Sequence, residues 1–315
     1  MEKIMLKYVV YPVLSMMAVI FLLGACQPMQ QEPAKDTLPE TVSITLPESA
    51  QHFANRFVGY IDDESPGEPY SLTSYSATFQ SEKTVLFENG QYSFKLPYVG
   101  SITAYEFDRK PFLGISDYVI YTNLGKASNV SDEEARQNFY RLVKQMHLAG
   151  WRDLISPVDS RIQMNRKNAA AFFGMEDGYF RVKPITGIPT TIELTPDEWK
   201  QLSHLSNIGT LYADGVVVSF RLGKDNDEQY RDKYGNGQYA LVVTIEAYWN
   251  QVRMDAQEEF GKPAFNDAVK KKYQTYATIR KLEEDKARAQ GFEIDESYQD
   301  PPIPPLIELP RDGSR

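Results

Sequence analysis

Two turn dipeptides constrain the fold of this chain more than any other feature. Asn89-Gly90 and Asp214-Gly215 each stand between two runs of residues that have the composition of β-strands. Asn-Gly and Asp-Gly are favoured in two-residue turns in which both residues need a positive φ, and such turns join antiparallel strands. The sequence therefore predicts two β-hairpins and an antiparallel sheet around them.

Further strand-like runs accompany these hairpins. A strand is predicted at each of five places: Ser101–Phe107, Tyr118–Thr122, Tyr179–Val182, Thr191–Leu194 and Tyr239–Tyr248. The last of them is apolar on both faces through its middle, which predicts a central position in the sheet. Val42–Leu46 alternates apolar and polar residues, and Ala50–Tyr60 fits either a short helix or an edge segment.

Three segments have the pattern of amphipathic helices. Ser131 with Glu134 and Thr195 with Glu198 are spaced as capping boxes, which predict helix starts. The first helix has one apolar stripe and ends at Gly150; its stripe consists of Ala135, Phe139, Leu142, Met146 and Ala149. A third helix is predicted over Asn266–Gln290, with Gly291 as its stop; its apolar face consists of Phe265, Val269, Tyr273, Tyr276, Ile279 and Leu282.

These patterns together predict an α+β fold in which antiparallel sheets pack with amphipathic helices. The order of strands and helices also suggests two loosely related halves, although the sequence identity between them is too low to establish a repeat.

The N-terminus has the three parts of a secretory signal. Lys3 and Lys7 make a basic start, Val9–Leu23 is almost uninterruptedly apolar, and Gly24 and Ala25 precede Cys26, the single cysteine of the chain. The order Leu23, Gly24, Ala25, Cys26 resembles the lipobox of bacterial lipoprotein signal peptides. The resemblance implies cleavage before Cys26 and acylation of its sulfur and new amino group. An uncleaved transmembrane anchor and a free structural cysteine are the alternatives; the run is slightly short for a span and lacks a basic stop-transfer flank.

The resemblance implies a membrane anchor on Cys26, and several acyl chains would make it stable. Gln27 follows where family members kept at the inner membrane often have Asp, which favours the outer membrane. We expect five regions: a signal peptide (1–25), a flexible spacer (26–45), a globular body (46–252), a helical region (253–291) and a Pro-rich tail (292–315). The tail, with Pro301-Pro302-Ile303-Pro304-Pro305, is expected to be extended, as a strap, a loose end or a docking element.

The net charge of the chain indicates which classes of macromolecule it can bind. The net charge is −9, and loss of residues 1–25 takes it to about −10. Nucleic acid and anionic lipid headgroups reward clustered Lys and Arg, so we expect neither as the main partner, whereas a basic protein would be attracted. With one cysteine, the exported domain is expected to fold without disulfides.

A long acidic connection is predicted between the last two strong strands, at residues 223–237. Its residues Asp225, Asp227 and Glu228 lack the spacing and central glycine of a calcium loop, so we expect no metal site. Tyr230 and Tyr234 accompany these acids, and tyrosine is enriched at protein interfaces. We therefore predict that these five residues contact a protein partner.

The sequence contains little that indicates catalysis. His52, His147 and His204 are scattered and form no pair at metal-ligand spacing, and no nucleophile elbow or phosphate-binding glycine loop is present. We expect no enzymatic activity, no catalytic residue and no cofactor.

Three functions fit this combination. The layout of an outer-membrane lipoprotein with a spacer and an acidic, aromatic-rich α+β body resembles the immunity lipoproteins that accompany type VI secreted effectors, notably phospholipases; the stretch Val119–Ile162 carries part of this likeness. The resemblance implies sequestration of a toxin in the periplasm. The alternatives are an accessory lipoprotein of an envelope or secretion complex, and a small envelope hydrolase that depends on His52 or His204.

Overall fold

The computed structural model describes residues 38–66, 72–107, 111–126, 129–163, 165–168, 189–200, 202, 206–224, 236–256, 262 and 264–304. These residues belong to one compact unit, Leu38–Arg315. The predictions for the signal peptide, for Cys26 and for a strand at Tyr179–Val182 lie outside the described residues.

The described residues form an α+β fold, as predicted. The strands are β1 (Thr41–Thr45), β2 (Ile61–Pro66), β3 (Leu72–Glu88), β4 (Phe94–Phe107), β5 (Ile115–Asn123), β6 (Asn129–Val130), β7 (Arg152–Asp153), β8 (Ser206–Ala213), β9 (Val216–Lys224) and β10 (Gly237–Ala247). The helices are α1 (Ala50–Arg56), α2 (Asp132–Leu148), α3 (Pro196–Lys200), α4 (Tyr248–Asp255) and α5 (Phe265–Ala289). Strand β1 lies within the stretch 26–45 assigned to the spacer, so sheet structure begins before residue 46.

The ten described strands join in one sheet. Its order is β1-β3-β4-β5-β10-β9-β8-β7, with β2 paired to β3 and β6 to β10. Among these strands β1 and β3 are the parallel pair, and the other pairs are antiparallel. Strand β10 lies between β5 and β9, which confirms the central position predicted from its apolar middle.

Both predicted hairpins form, but their turns differ. Asp214 and Gly215 have φ of 43° and 77°, so both residues adopt the positive values expected of a two-residue turn. At the other hairpin Gly90 has φ of 57° but Asn89 has φ of −148°, and a 3₁₀ turn over Gly90–Tyr92 completes the connection. The prediction of two positive φ values is wrong there because the Ser93 hydroxyl accepts from the Asn89 amide at 2.9 Å and organises a longer turn.

Helices α1, α2 and α3 cover one face of the sheet, here called the inner face. On this face the Phe139 ring of α2 packs against Phe220 of β9 at 5.6 Å and Trp199 of α3 at 5.8 Å. Both capping predictions are confirmed: the Ser131 hydroxyl accepts from the Glu134 amide at 3.1 Å, and the Glu198 carboxylate accepts from the Thr195 amide at 2.7 Å. The predicted stripe of α2 therefore faces the core.

The strand predicted at Thr191–Leu194 is absent, and the described chain turns there instead. The Ile192 amide donates to the Pro189 carbonyl at 3.0 Å, within the turn, and neighbouring amides donate to side chains. The Thr190 amide donates to the Asp153 carboxylate at 2.8 Å, and the Leu194 amide donates to the Tyr140 hydroxyl at 2.8 Å. Side-chain acceptors from distant parts of the chain therefore replace sheet pairing at these two amides.

Helices α4 and α5 lie on the opposite, outer face of the sheet, over its β8–β9 region. Their buried residues form a second apolar cluster with two sheet residues; its members are Tyr212, Val217, Tyr248, Val252, Phe265 and Val269. The predicted apolar face of α5 is correct at its start and wrong further on, because Ile279 and Leu282 are 39% and 57% exposed.

The second half of α5 packs through charged side chains. Arg280 and Glu284 are buried there, together with Ala287. The Glu284 carboxylate accepts two hydrogen bonds from the Arg161 guanidinium at 2.7 and 3.0 Å, and the Arg280 guanidinium donates to the carbonyls of Asp159 and Ser156 at 3.0 and 2.8 Å. The buried face of α5 thus continues at helical spacing onto Arg280, Glu284 and Ala287, and Ile279 and Leu282 fall outside it.

After α5, residues 292–304 pack back along the folded body, and we call this segment the strap. Gly291 has φ of 86°, and the Phe292 amide donates to the Ala287 carbonyl at 3.1 Å, which ends the helix as predicted. Ile294 then bridges Ile162, the Tyr298 hydroxyl accepts from the Ile155 amide at 3.0 Å, and Pro301 is buried. No described helix is both long and apolar enough to cross a membrane.

Candidate functional site

The residues predicted to contact a partner lie outside the described residues, as does the lipid attachment site Cys26. Asp225, Asp227, Glu228, Tyr230 and Tyr234 belong to the connection between β9 and β10. The strand ends that bound this connection are described, at Lys224 and Gly237.

Two of the three histidines are described, and His204 lies outside the described residues. The exposed His52 imidazole contacts the buried Glu48 carboxylate at 2.9 Å, and that carboxylate also accepts from Tyr118 at 2.7 Å. The His147 ring contacts the Trp151 carbonyl at 3.0 Å and the Thr190 hydroxyl at 2.7 Å, where it ties the end of α2 to the next segment. The Thr190 hydroxyl in turn donates to the Asp153 carboxylate at 2.8 Å, so both histidine contacts hold local structure together.

Register places three rows of side chains across the outer face, because residues opposite each other on neighbouring strands point to the same side. The first row is Ser101, Tyr121, Val242, Arg221 and Asn207. The second, here called the hydroxyl row, is Ser76, Thr103, Val119, Thr244, Ser219 and Thr210. The third is Tyr105, Asp117, Glu246, Val217 and Tyr212. Polar, hydroxyl-bearing and aromatic residues thus dominate a face that strands β4, β5, β9 and β10 share.

In the middle of the sheet the first two rows are partly open to solvent, although Val242 between Tyr121 and Arg221 is buried. Tyr121 is 49% exposed, Arg221 is exposed, and Val119 and Thr244 are half-buried. The hydroxyl row carries internal hydrogen bonds, between Ser76 and Thr103 at 3.0 Å and between Thr210 and Ser219 at 3.4 Å. The open area is therefore a rigid surface, held by the sheet itself.

The third row contains a pair of carboxyl groups under the start of α4. Asp117 and Glu246 stand opposite each other on β5 and β10. Asn250 and Gln251 of α4 donate to the two oxygens of Glu246 at 2.7 and 2.9 Å, and the Arg253 guanidinium lies 4.3 Å from the Phe107 ring beside them. Burial raises the pKa of Glu246 to about 7 and that of Asp117 to about 6.

Two titratable carboxyls with raised pKa values are a common mark of acid–base sites. This pair instead behaves as part of the packing, because the amides of Asn250 and Gln251 occupy the Glu246 oxygens and the Ser116 hydroxyl donates to Asp117 at 2.7 Å. The described residues also contain no group of three or more His, Cys, Asp or Glu side chains arranged to hold a metal ion.

A cavity of about 380 Å³ opens beside this pair, between the sheet, α4, α5 and the segment after β7; we call it the tyrosine pocket. Its polar lining residues are Ser156, Thr210, Ser219, Gln251 and Asp255, together with Tyr248, Tyr273 and Tyr276. Leu154, Ile155, Pro157, Val158 and Pro301 make the apolar wall. The volume falls within the usual range of small-ligand sites, about 300–1,000 Å³.

Hydrogen bonds position the tyrosines of the pocket. The Tyr276 hydroxyl donates to the Asp255 carboxylate at 2.6 Å, and the Tyr248 and Tyr273 hydroxyls are 3.4 Å apart. Burial raises the pKa of all three phenols, so each stays neutral through the physiological range. The pocket therefore presents aromatic rings, hydroxyl groups and one carboxylate.

Sequence reasoning did not find the open face or the tyrosine pocket. The helical spacing correctly predicts Tyr273 and Tyr276 on one face of a helix. The strands and the strap that complete the pocket are distant in sequence, so no local pattern predicts them. The alternation of Val119 and Tyr121 with the buried Tyr118 and Ile120 was the available signal for an outward face on β5.

A scan of the chain against protein-family models, a search of curated proteins and a search of solved structures each found no match.

Proposed function

We propose that this chain is a lipid-anchored protein of the bacterial envelope that binds and sequesters a protein partner. In this proposal Cys26 carries the lipid and holds the folded body at the outer membrane, facing the periplasm. The partner is a secreted toxin of the phospholipase type delivered by type VI secretion, and the chain acts as its immunity protein.

The observation that carries the proposal is the open middle of the outer face. Tyr121 stands out from a central strand, with Ser101 and Val242 directly opposite it and Thr103 and Thr244 diagonal to it. Tyrosines set among small hydroxyl residues are typical of protein-binding surfaces, because a tyrosine ring gives large contact area at low cost in side-chain entropy. The sheet holds this surface rigid, which reduces the entropy lost on binding.

The strand ends that bound the predicted contact loop, at Lys224 and Gly237, are described and belong to the same sheet. Arg221 of the first row lies three residues before Lys224, the last described residue of β9, which corresponds to about 10 Å along a strand. A partner that covers a surface of ordinary size, about 800 Å² per protein, can reach both the first row and the strand ends. Tethering raises the local concentration of the chain where a toxin arrives, and net acidity speeds capture of a basic partner.

Affinity capture tests the proposal. The mature region, residues 27–315, is immobilised and exposed to lysate of the producing strain, and a stoichiometric partner is identified by mass. Phospholipase activity of that partner on phospholipid vesicles is then measured with and without an equal amount of the chain. We expect one partner whose activity the chain abolishes; several envelope-complex subunits, or a partner left fully active, would contradict sequestration.

Variants locate the contact surface. Tyr121→Ala should weaken capture about 30-fold, the effect of losing an interface hot spot of about 2 kcal/mol. The double variant Tyr230→Ala/Tyr234→Ala tests the loop in the same assay. Leu148→Ala is the matched control, because Leu148 is 81% exposed at the end of α2, on the other side of the sheet. Unchanged affinity in Tyr121→Ala would remove the outer face from the proposal, and unchanged affinity in the double variant would remove the loop.

A further inference from the structure

The tyrosine pocket has an unbalanced charge. Asp255 is the one acidic residue among its described lining residues, and these include no lysine, arginine or histidine. One oxygen of the Asp255 carboxylate accepts from the Tyr276 hydroxyl, which is a neutral donor. The described wall of the pocket therefore supplies negative charge and no cation to offset it.

The position of Asp255 in its helix adds to this imbalance. Asp255 is the last residue of α4, which spans Tyr248–Asp255. Helix C-termini carry a partial negative charge from their unpaired carbonyl groups, so an acidic side chain there is unfavourable and a cation is favourable. The helix end and the carboxylate therefore both favour a positive ligand at the same place.

The aromatic lining has the same preference. Rings of Tyr248, Tyr273 and Tyr276 border the cavity, and the faces of aromatic rings attract ammonium and guanidinium groups. The Tyr273 and Tyr276 rings lie 5.6 Å apart at 58°, so they border the cavity as one packed pair. The Lys272 ammonium lies 5.4 Å from the Tyr276 ring centre, so one cation of the chain already contacts this ring from outside the pocket lining.

We propose that the tyrosine pocket is a binding site for an organic ammonium group. The group lies in the cavity beside the tyrosine rings, with its charge toward Asp255 and the end of α4 and its carbon atoms against Ile155, Val158 and Pro301. An anion is disfavoured by the carboxylate, and a neutral ligand gains nothing from the charge. Two sources supply this chemistry, a lysine side chain of a protein and a free amine. The site does not depend on the function proposed above.

Matched probes test the charge preference on the unmodified pocket. Choline is compared with its neutral isostere 3,3-dimethyl-1-butanol, and n-butylamine with 1-butanol, by NMR titration of the mature region. We expect saturable binding of the two cations, each at least about tenfold tighter than its neutral isostere. Equal binding of cation and isostere, or no saturable binding of either cation, would overturn the proposal.

Single substitutions test which residues of the pocket bind the ammonium group. Asp255→Asn should weaken choline and butylamine binding at least about tenfold, whereas Tyr273→Phe, which keeps the ring, should retain it. Asp267→Asn is the control, because it removes the same charge from an exposed position in the first turn of α5. Full binding by Asp255→Asn would refute the role of the carboxylate. The comparison of isosteres stands on the wild-type chain alone, should a variant fold poorly.

A lysine-containing peptide distinguishes a lysine side chain of a protein from a free amine as the source of the ammonium group. N-acetyl-Gly-Lys-Gly-amide is titrated beside n-butylamine, with the norleucine peptide as its neutral counterpart. Tighter binding of the lysine peptide than of butylamine assigns the pocket to a side chain of a protein ligand. Tighter binding of choline or butylamine assigns it to a free amine, and equal binding of the lysine and norleucine peptides would count against the proposal.

Discussion

Glu246→Gln should stabilise this protein at alkaline pH and leave its stability unchanged at acid pH. Glu246 lies opposite Asp117, and α4 covers both. Burial raises the pKa of the Glu246 carboxyl from its ordinary value of 4.5 to about 7, and the neighbouring Asp117 charge adds to the shift. Ionising this group inside the folded protein is therefore unfavourable.

Whether the free energy of unfolding rises or falls with pH depends on which state, folded or unfolded, holds the Glu246 proton more tightly. The folded protein keeps the Glu246 proton to higher pH than the unfolded chain, so the free energy of unfolding falls as pH rises from 4.5 to about 7. Each unit of pKa shift corresponds to about 1.4 kcal/mol, so ionised Glu246 costs about 3 kcal/mol of stability at pH 8.

Glutamine is a suitable replacement because it resembles the protonated acid. Each has one oxygen that accepts a hydrogen bond and one group that donates. Asn250 can donate to that oxygen in both proteins, and in both the Gln251 amide must turn so that its own oxygen accepts from the donating group. The two proteins therefore differ only in ionisation. Glu246→Gln should be about 3 kcal/mol more stable at pH 8, which corresponds to a rise in Tm of roughly 6–12 °C for a domain of this size.

Urea unfolding followed by tryptophan fluorescence measures the difference at pH 4.5, 6 and 8. Glu88→Gln is the control, because Glu88 is exposed at the end of β3 and its replacement should change stability by less than about 0.5 kcal/mol at every pH. A stability difference between Glu246→Gln and wild type that does not change with pH would refute the reasoning.

Two further predictions concern the ends of the chain. Replacing Cys26 by Ser behind a soluble secretory signal should leave the folded body intact and remove it from the membrane fraction, because no disulfide is available to the core; retention in membranes would contradict lipid anchoring at this residue. Arg280→Met should destabilise the protein by about 2–3 kcal/mol, since it removes charged hydrogen bonds to the carbonyls of Asp159 and Ser156. Amide exchange in residues 292–304 should be faster in Arg280→Met than in wild type, with a smaller change in β10, which would show the strap loosening first. Equal exchange of residues 292–304 in the two proteins would count against attachment of the strap through Arg280.

Local signals predicted the elements well where one side chain or one turn decides the conformation. Ser131 and Thr195 mark helix starts because a hydroxyl satisfies free backbone amides at that point, and Asp214-Gly215 forms its hairpin because both residues tolerate positive φ. The prediction failed at Thr191–Leu194, where Asp153 and Tyr140 supply the hydrogen-bond partners from a distance. It also failed in α5, where Arg280 and Glu284 are buried in place of Ile279 and Leu282.

The sequence by itself determined the α+β class, most strand and helix positions and the central place of β10, because each depends on residues close together along the chain. Tertiary structure alone decided what the outer face presents, because register between strands aligns Tyr121 with Val242 and Asp117 with Glu246. It also decided the tyrosine pocket, which brings Ser219, Asp255 and Tyr273 together from three separate elements. Side-chain pattern specifies which way a residue faces within its own element, whereas only the packing of distant elements specifies what it faces.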